Sequence, residues 1–85
     1  MTDALSRTIT DVVTDFLSSA PSLQEIAAYR LPDELQERAH RLLDANRSGM
    51  LSHEDSVEMD QFRQIDHLLT LIKAKARLKL QKQSV

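Results

Sequence analysis

Twelve consecutive residues, Asp44-Ala45-Asn46-Arg47-Ser48-Gly49-Met50-Leu51-Ser52-His53-Glu54-Asp55, carry the spacing of a calcium-binding EF-hand loop. Asp44, Asn46 and Ser48 fall at ligand positions 1, 3 and 5, and Gly49 falls at the sharp turn of position 6. Met50 offers its carbonyl at position 7, Ser52 stands at position 9, where a water can bridge to the ion, and Asp55 closes the loop at position 12. Calcium asks for such a loop because six to eight oxygens must converge from one short stretch of chain. Several features depart from the pattern. Asp55 is shorter than the usual Glu, only Asp44 and Asp55 bring full charge, Arg47 adds a cation, and no second loop is present to form a pair. The same residues read equally as helix punctuation, with Asn46 and Gly49 ending one helix and Ser52 and Asp55 capping the next. The loop therefore yields two expectations: weak calcium binding through Asp44, Asn46, Ser48, Met50, Ser52 and Asp55, or a plain interhelical turn.

Other chemistry is sparse. The chain has no cysteine, which excludes disulfides, thiolate metal sites and a thiol nucleophile. Its single glycine excludes a glycine-rich phosphate loop. His40, His53 and His67 lack the close spacing of a metal pair on one helix. No nucleophile stands with a base and an oxyanion donor, so the sequence predicts a protein that is not an enzyme and, calcium aside, uses no cofactor. Tyr29 is the only tyrosine and tryptophan is absent, which leaves no platform for stacking bases.

The elements that position these residues read as four helical segments of one all-α domain. Within it, residues 1–31 form an N-terminal part and 32–85 a helical hairpin. The first segment, about Asp3 to Ser19, repeats Leu5, Ile9, Val12, Val13, Phe16 and Leu17 with a 3.6-residue period. Ser22 and Glu25 then form a capping-box pattern for a short helix that Leu31-Pro32 ends. A third segment, Pro32 to about Ala45, carries Leu35, Ala39, Leu42 and Leu43. Glu34–Arg38 and Glu37–Arg41 are its i,i+4 pairs. The fourth runs from Ser52 to about Leu80 without a breaker. Phe62, Ile65, Leu69, Ile72 and Ala76 give it a seam spaced for packing against another helix.

Length and charge then point to function. At 1.5 Å per residue the third segment is ~20 Å long and the fourth ~43 Å. A hairpin leaves about half of the fourth uncovered, for the first segment or another chain to shield. Leu68, Leu71 and Leu78 lie on a different side from the seam. Charge is divided: residues 1–66 hold all 13 acids and six bases and sum to −7, while residues 67–85 hold five bases and no acid and sum to +5. Cations also suit a helix C-terminus, where carbonyls carry partial negative charge. A basic, partly apolar helix end on an acidic body suits a macromolecular partner. The expected docking surface is Leu68, Leu71 and Leu78 with Lys73, Lys75, Arg77 and Lys79. The expected partner is a protein or a second copy, with nucleic acid as the alternative. No apolar run approaches the ~18 residues of a membrane span. The N-terminus lacks a signal peptide's apolar stretch, and the expected location is the cytoplasm.

The tract Leu42-Leu43, Asn46-Arg47-Ser48-Gly49-Met50-Leu51-Ser52, Glu54-Asp55 and Glu58-Met59-Asp60 resembles small uncharacterised bacterial proteins. Their shared region reads Leu-Leu-x-x-Asn-Arg-x-Gly-x-Leu-Ser/Thr-x-Glu-Glu. Leu71-Ile72-Lys73-Ala74-Lys75-Ala76-Arg77 is similar to that family's basic helix end, and the likeness covers about residues 34–80. Such proteins are often encoded beside HNH-type endonucleases, so the resemblance implies an accessory or antitoxin-like role. It supplies no catalytic residue. The family pattern does not require an acid at the first loop position, which favours the helix-capping role of the loop, and Asp55 stands where Glu is more usual.

Overall fold

The computed structural model describes residues 8–83, and every regular element among them is helical. Helix α1 spans Ile9–Ser18, α2 spans Leu23–Ala27, α3 spans Asp33–Arg47 and α4 spans His53–Gln83. This is the all-α architecture that the periodicities predict. The expected start of the first segment at Asp3, and Leu5 with it, lies outside the described residues. Within them, Thr8 caps α1 by accepting the Asp11 N–H at 3.1 Å.

Each short helix is bounded by chemistry written into its ends. In α2, Ser22 Oγ accepts the Glu25 N–H at 3.1 Å and the Ser22 N–H donates to Glu25 Oε1 at 2.9 Å, the reciprocal capping box. The Ser22 backbone N–H favours the ionised carboxylate, and with the Ser22 hydroxyl it holds Glu25 below its ordinary pKa. Pro32 precedes α3, whose Asp33 and Glu34 suit the positive end of the helix. Helix α3 runs two residues past the expected Ala45, to Arg47, because nothing disrupts the helix before Gly49 takes a left-handed backbone (φ 69°). Helix α4 reaches Gln83, three residues beyond the expected end.

Packing runs through α4. Ile9, Val12 and Val13 of α1, Leu35 and Leu42 of α3, and Met59, Phe62 and Leu69 of α4 form one buried cluster. Leu17, Tyr29, Leu31, Ala39, Leu51 and Ile65 pack against its edge. The Phe16 and Tyr29 rings stack with centroids 4.0 Å apart, joining α1 to the end of the α2 turn. The half of α4 that α3 cannot reach is thus covered from within the chain, by α1 and α2. Ala76, the last residue of the predicted seam, is also buried.

Two polar links fix the arrangement. Arg38 of α3 grips Glu58 of α4 with both carboxylate oxygens engaged, Nε to Oε2 at 2.6 Å and Nη2 to Oε1 at 2.5 Å. Asp55 lies 3.9 Å from the same guanidinium. At the other end, Lys73 Nζ donates to the Tyr29 carbonyl at 2.7 Å, and Arg77 Nη2 reaches the Ala27 carbonyl at 3.4 Å. These cations close the C-terminal end of α2, where carbonyls run out of helical partners. Gln36 Nε2 does the same for the Leu31 carbonyl at 2.7 Å.

The whole measures 51 × 32 × 18 Å. Helices pack 8–10 Å apart with a Cα radius near 2.3 Å, so two layers span about 14 Å and three need about 21 Å or more. The short axis therefore admits two layers, and among the described residues no helix lies over one face of α4.

Arg38 hydrogen bonds hold the Glu58 carboxyl below its ordinary 4.5. A depressed carboxylate stabilises the fold above its unfolded pKa, and that contribution is lost as pH falls through the lower folded value. Both side chains are over a quarter exposed, so solvent keeps the pair modest. Glu58→Gln is expected to cost about 0.5–1 kcal/mol at pH 7. Its urea midpoint should converge with that of the parent once the pH has fallen below the lowered folded pKa of Glu58. Lys73→Met keeps the apolar stem but removes the donor to Tyr29. It is expected to cost about 1 kcal/mol in the same titration, against no measurable change for Lys79→Met.

Candidate functional site

The interhelical loop is built as two helix caps back to back. The Gly49 N–H donates to the Asn46 carbonyl at 3.2 Å and the Met50 N–H donates to the Ala45 carbonyl at 2.9 Å. With Gly49 left-handed, that pair of bonds is the Schellman ending of α3. Ser52 Oγ then accepts the Asp55 N–H at 3.1 Å and opens α4. Gly49 is required by its backbone alone, since a Cβ there meets nothing within 4 Å.

Of the six residues considered for calcium, Asp44, Ser48, Ser52 and Asp55 are engaged within the chain. Asp44 and Asn46 sit inside α3, where two residues turn the side chain through about 200°, so they point to different sides of the helix. The Asp44 carboxylate stands 3.8 Å from Arg47, and its carbonyl accepts Ser48 Oγ at 3.0 Å. Met50 is exposed, Ser52 serves as the cap of α4, and Asp55 faces Arg38. No group of three or more His, Cys, Asp or Glu side chains is placed to share a metal ion among the described residues. His40, His53 and His67 are all exposed and on separate stretches of helix.

The docking residues named from sequence divide in two. Leu68, Leu71 and Leu78 are 51%, 52% and 55% exposed, which places them outside the core although each is a large apolar side chain. Lys75 and Lys79 are exposed beside them. Lys73 instead donates to the Tyr29 carbonyl just past α2, and Arg77, itself exposed, reaches the Ala27 carbonyl, so the positive end of α4 is partly consumed in holding its own chain together.

The structure adds members that the sequence reading did not include. Val57 is 58% exposed, and Gln61 and Gln64 are exposed as well; Lys82, which the spacing already puts on the leucines' side, is exposed with them. With the three leucines and Lys75 they fall at 57, 61, 64, 68, 71, 75, 78 and 82, in alternating steps of four and three. That spacing keeps all eight on one stripe, roughly opposite the buried ridge of Met59, Phe62, Leu69 and Ala76. The signal was present in the spacing, but Gln and Lys interrupt it, and an apolar count passes over them.

A second concave feature lies between α3 and α4. It is a groove of about 320 Å³ with Leu31, Ala39, Leu42, Met59 and Phe62 in its lining. Leu43, 41% exposed, stands at its margin with His40, Arg63 and Asp66. No described helix is long and apolar enough to cross a membrane.

Because the loop is a pair of caps, its glycine is a backbone requirement. Gly49→Ala is expected to destabilise the chain by about 1 kcal/mol in chemical denaturation, through the left-handed backbone alone. Millimolar calcium is expected to leave the melting temperature of the parent unchanged, as a ligand of the folded state could not.

Compared with known protein families, curated proteins and solved structures, the chain matches none.

Proposed function

We propose that this chain is a non-enzymatic interaction module whose docking surface is the outer stripe of α4. The observation that carries the reading is the exposure of Leu68, Leu71 and Leu78 on a helix face that the protein's own three short helices do not cover. The partner is a protein that presents an amphipathic helix with an acid-bearing flank. Its apolar side would cover the leucines, and its acids would meet Lys75, Lys79 and Lys82. The likeness to bacterial proteins encoded beside HNH-type endonucleases supports an accessory, antitoxin-like setting for such a module. Nucleic acid is the weaker partner: Lys73 and Arg77 are engaged with carbonyls of their own chain, and the acid-rich remainder of the chain repels phosphates.

The reading is tested by affinity capture with the parent chain and with Leu68→Ser/Leu71→Ser. Both sites are half-exposed, so circular dichroism should be unchanged in the variant. A protein captured by the parent, lost from the double variant and kept by Leu43→Ser is the expected result. Equal capture by parent and double variant would overturn the assignment of the stripe.

A further inference from the structure

We infer that the helix seated on the outer stripe of α4 is α4 of a second copy, running antiparallel. This inference rests on the docking reading above and names its occupant. It is carried by charge complementarity along a single helix. Acids lie in the first half of α4, at Glu54, Asp55, Glu58, Asp60 and Asp66, where Arg63 is the only Lys or Arg, although Asp55 and Glu58 already face Arg38 of their own chain. The second half carries no acid, and while Lys73 and Arg77 donate to carbonyls within the chain, Lys75, Lys79 and Lys82 stand exposed for a partner. An antiparallel copy sets each half against its opposite, whereas a parallel copy sets like against like.

The register follows from the stripe. Aligning its eight positions with their reversed copy puts Leu68 against Leu71 of the partner, so four leucines meet around the two-fold axis. Outward from the axis, Gln64 faces the partner's Lys75, Gln61 faces the partner's Leu78, and Val57 faces the partner's Lys82, whose stem can cover the valine. On one flank the same alignment sets Ile65 beside Ile72 of the partner, and Lys79 of the partner near the Arg38-bound Glu58. Ile65 and Ile72 are only half-buried in the single chain, so the second copy would finish covering them. A parallel pair would instead press Lys75 on Lys75 and Lys82 on Lys82 within the contact, a like-charge cost with no compensating partner. The two-fold contact is isologous and closes at two copies. With only Val57 and three leucines as apolar members in each chain, the dimer is expected to dissociate on dilution, near micromolar concentrations rather than nanomolar.

Sedimentation across concentration tests the state, and cross-linking tests the direction. The parent chain should move from 9.7 kDa toward twice that mass as concentration rises. Added salt should weaken the association, because opposite charges face each other. Leu71→Asp should remain monomeric with its helical content unchanged. Since the chain has no cysteine, Gln64→Cys and Lys75→Cys can each be made alone and treated with a short bis-maleimide. The antiparallel register predicts a linked dimer only when the two variants are mixed. Identical positions lie about 16 Å apart along the axis, beyond such a linker. Linkage of either variant with itself would overturn the antiparallel arrangement. A chain that stays at 9.7 kDa up to about 1 mM would overturn the second copy as occupant. A different protein captured through Leu68 and Leu71 in that case would leave the docking reading standing.

Discussion

The fold depends on one constraint: three short helices must each find their partner on a single long one. Five-residue α2 and ten-residue α1 are below the length at which helices persist in water, and α1 is further weakened by Thr and Val. What holds them is the ridge of Met59, Phe62, Leu69 and Ala76 on α4. Because the ridge extends beyond the reach of α3, α1 and α2 have a place to dock, and the excess length of α4 becomes the organising feature of the chain. The ion pair at Arg38 and the lysine–carbonyl bond at Tyr29 then fix helix positions along that ridge, near opposite ends.

Periodicity made the helices legible, and capping residues made most of their boundaries legible. Ser22 with Glu25, and Ser52 with Asp55, behave as their types and spacing require. The links between helices were less visible. Arg38 looked like the partner of Glu34 on its own helix, yet it pairs with Glu58, twenty residues away. A same-helix pair is worth only a few tenths of a kcal/mol, and a two-pronged contact at a partly shielded interface outweighs it. Lys73 and Arg77 read as surface cations for the same reason: their carbonyl partners lie 44 and 50 residues earlier, and nothing local announces them.

The loop at 44–55 shows where residue types alone stop deciding. Its acids, amide, hydroxyls and glycine suit a cation or a turn equally well. Two backbone hydrogen bonds, to Ala45 and Asn46, turn the segment into a helix ending and point its first two candidate ligands apart. The docking stripe presented the opposite problem. Its leucines were legible as a second apolar side, but their exposure depended on where α1 and α2 came to rest, which only the tertiary packing determines.

The thinness of the molecule has a further consequence. Among the described residues Ile9, 1% exposed, is the large side chain best sealed from solvent, and the buried cluster around it is thin, so there is little deep interior in which to store stability. If α1 peels away, the ridge beneath it is bared while the leucines on the far side are already wet, and α4 becomes greasy all round. Local opening in such a slab creates a sticky rod rather than a slightly loosened globule. Upkeep of the smallest helices therefore guards this chain against clumping and against proteases.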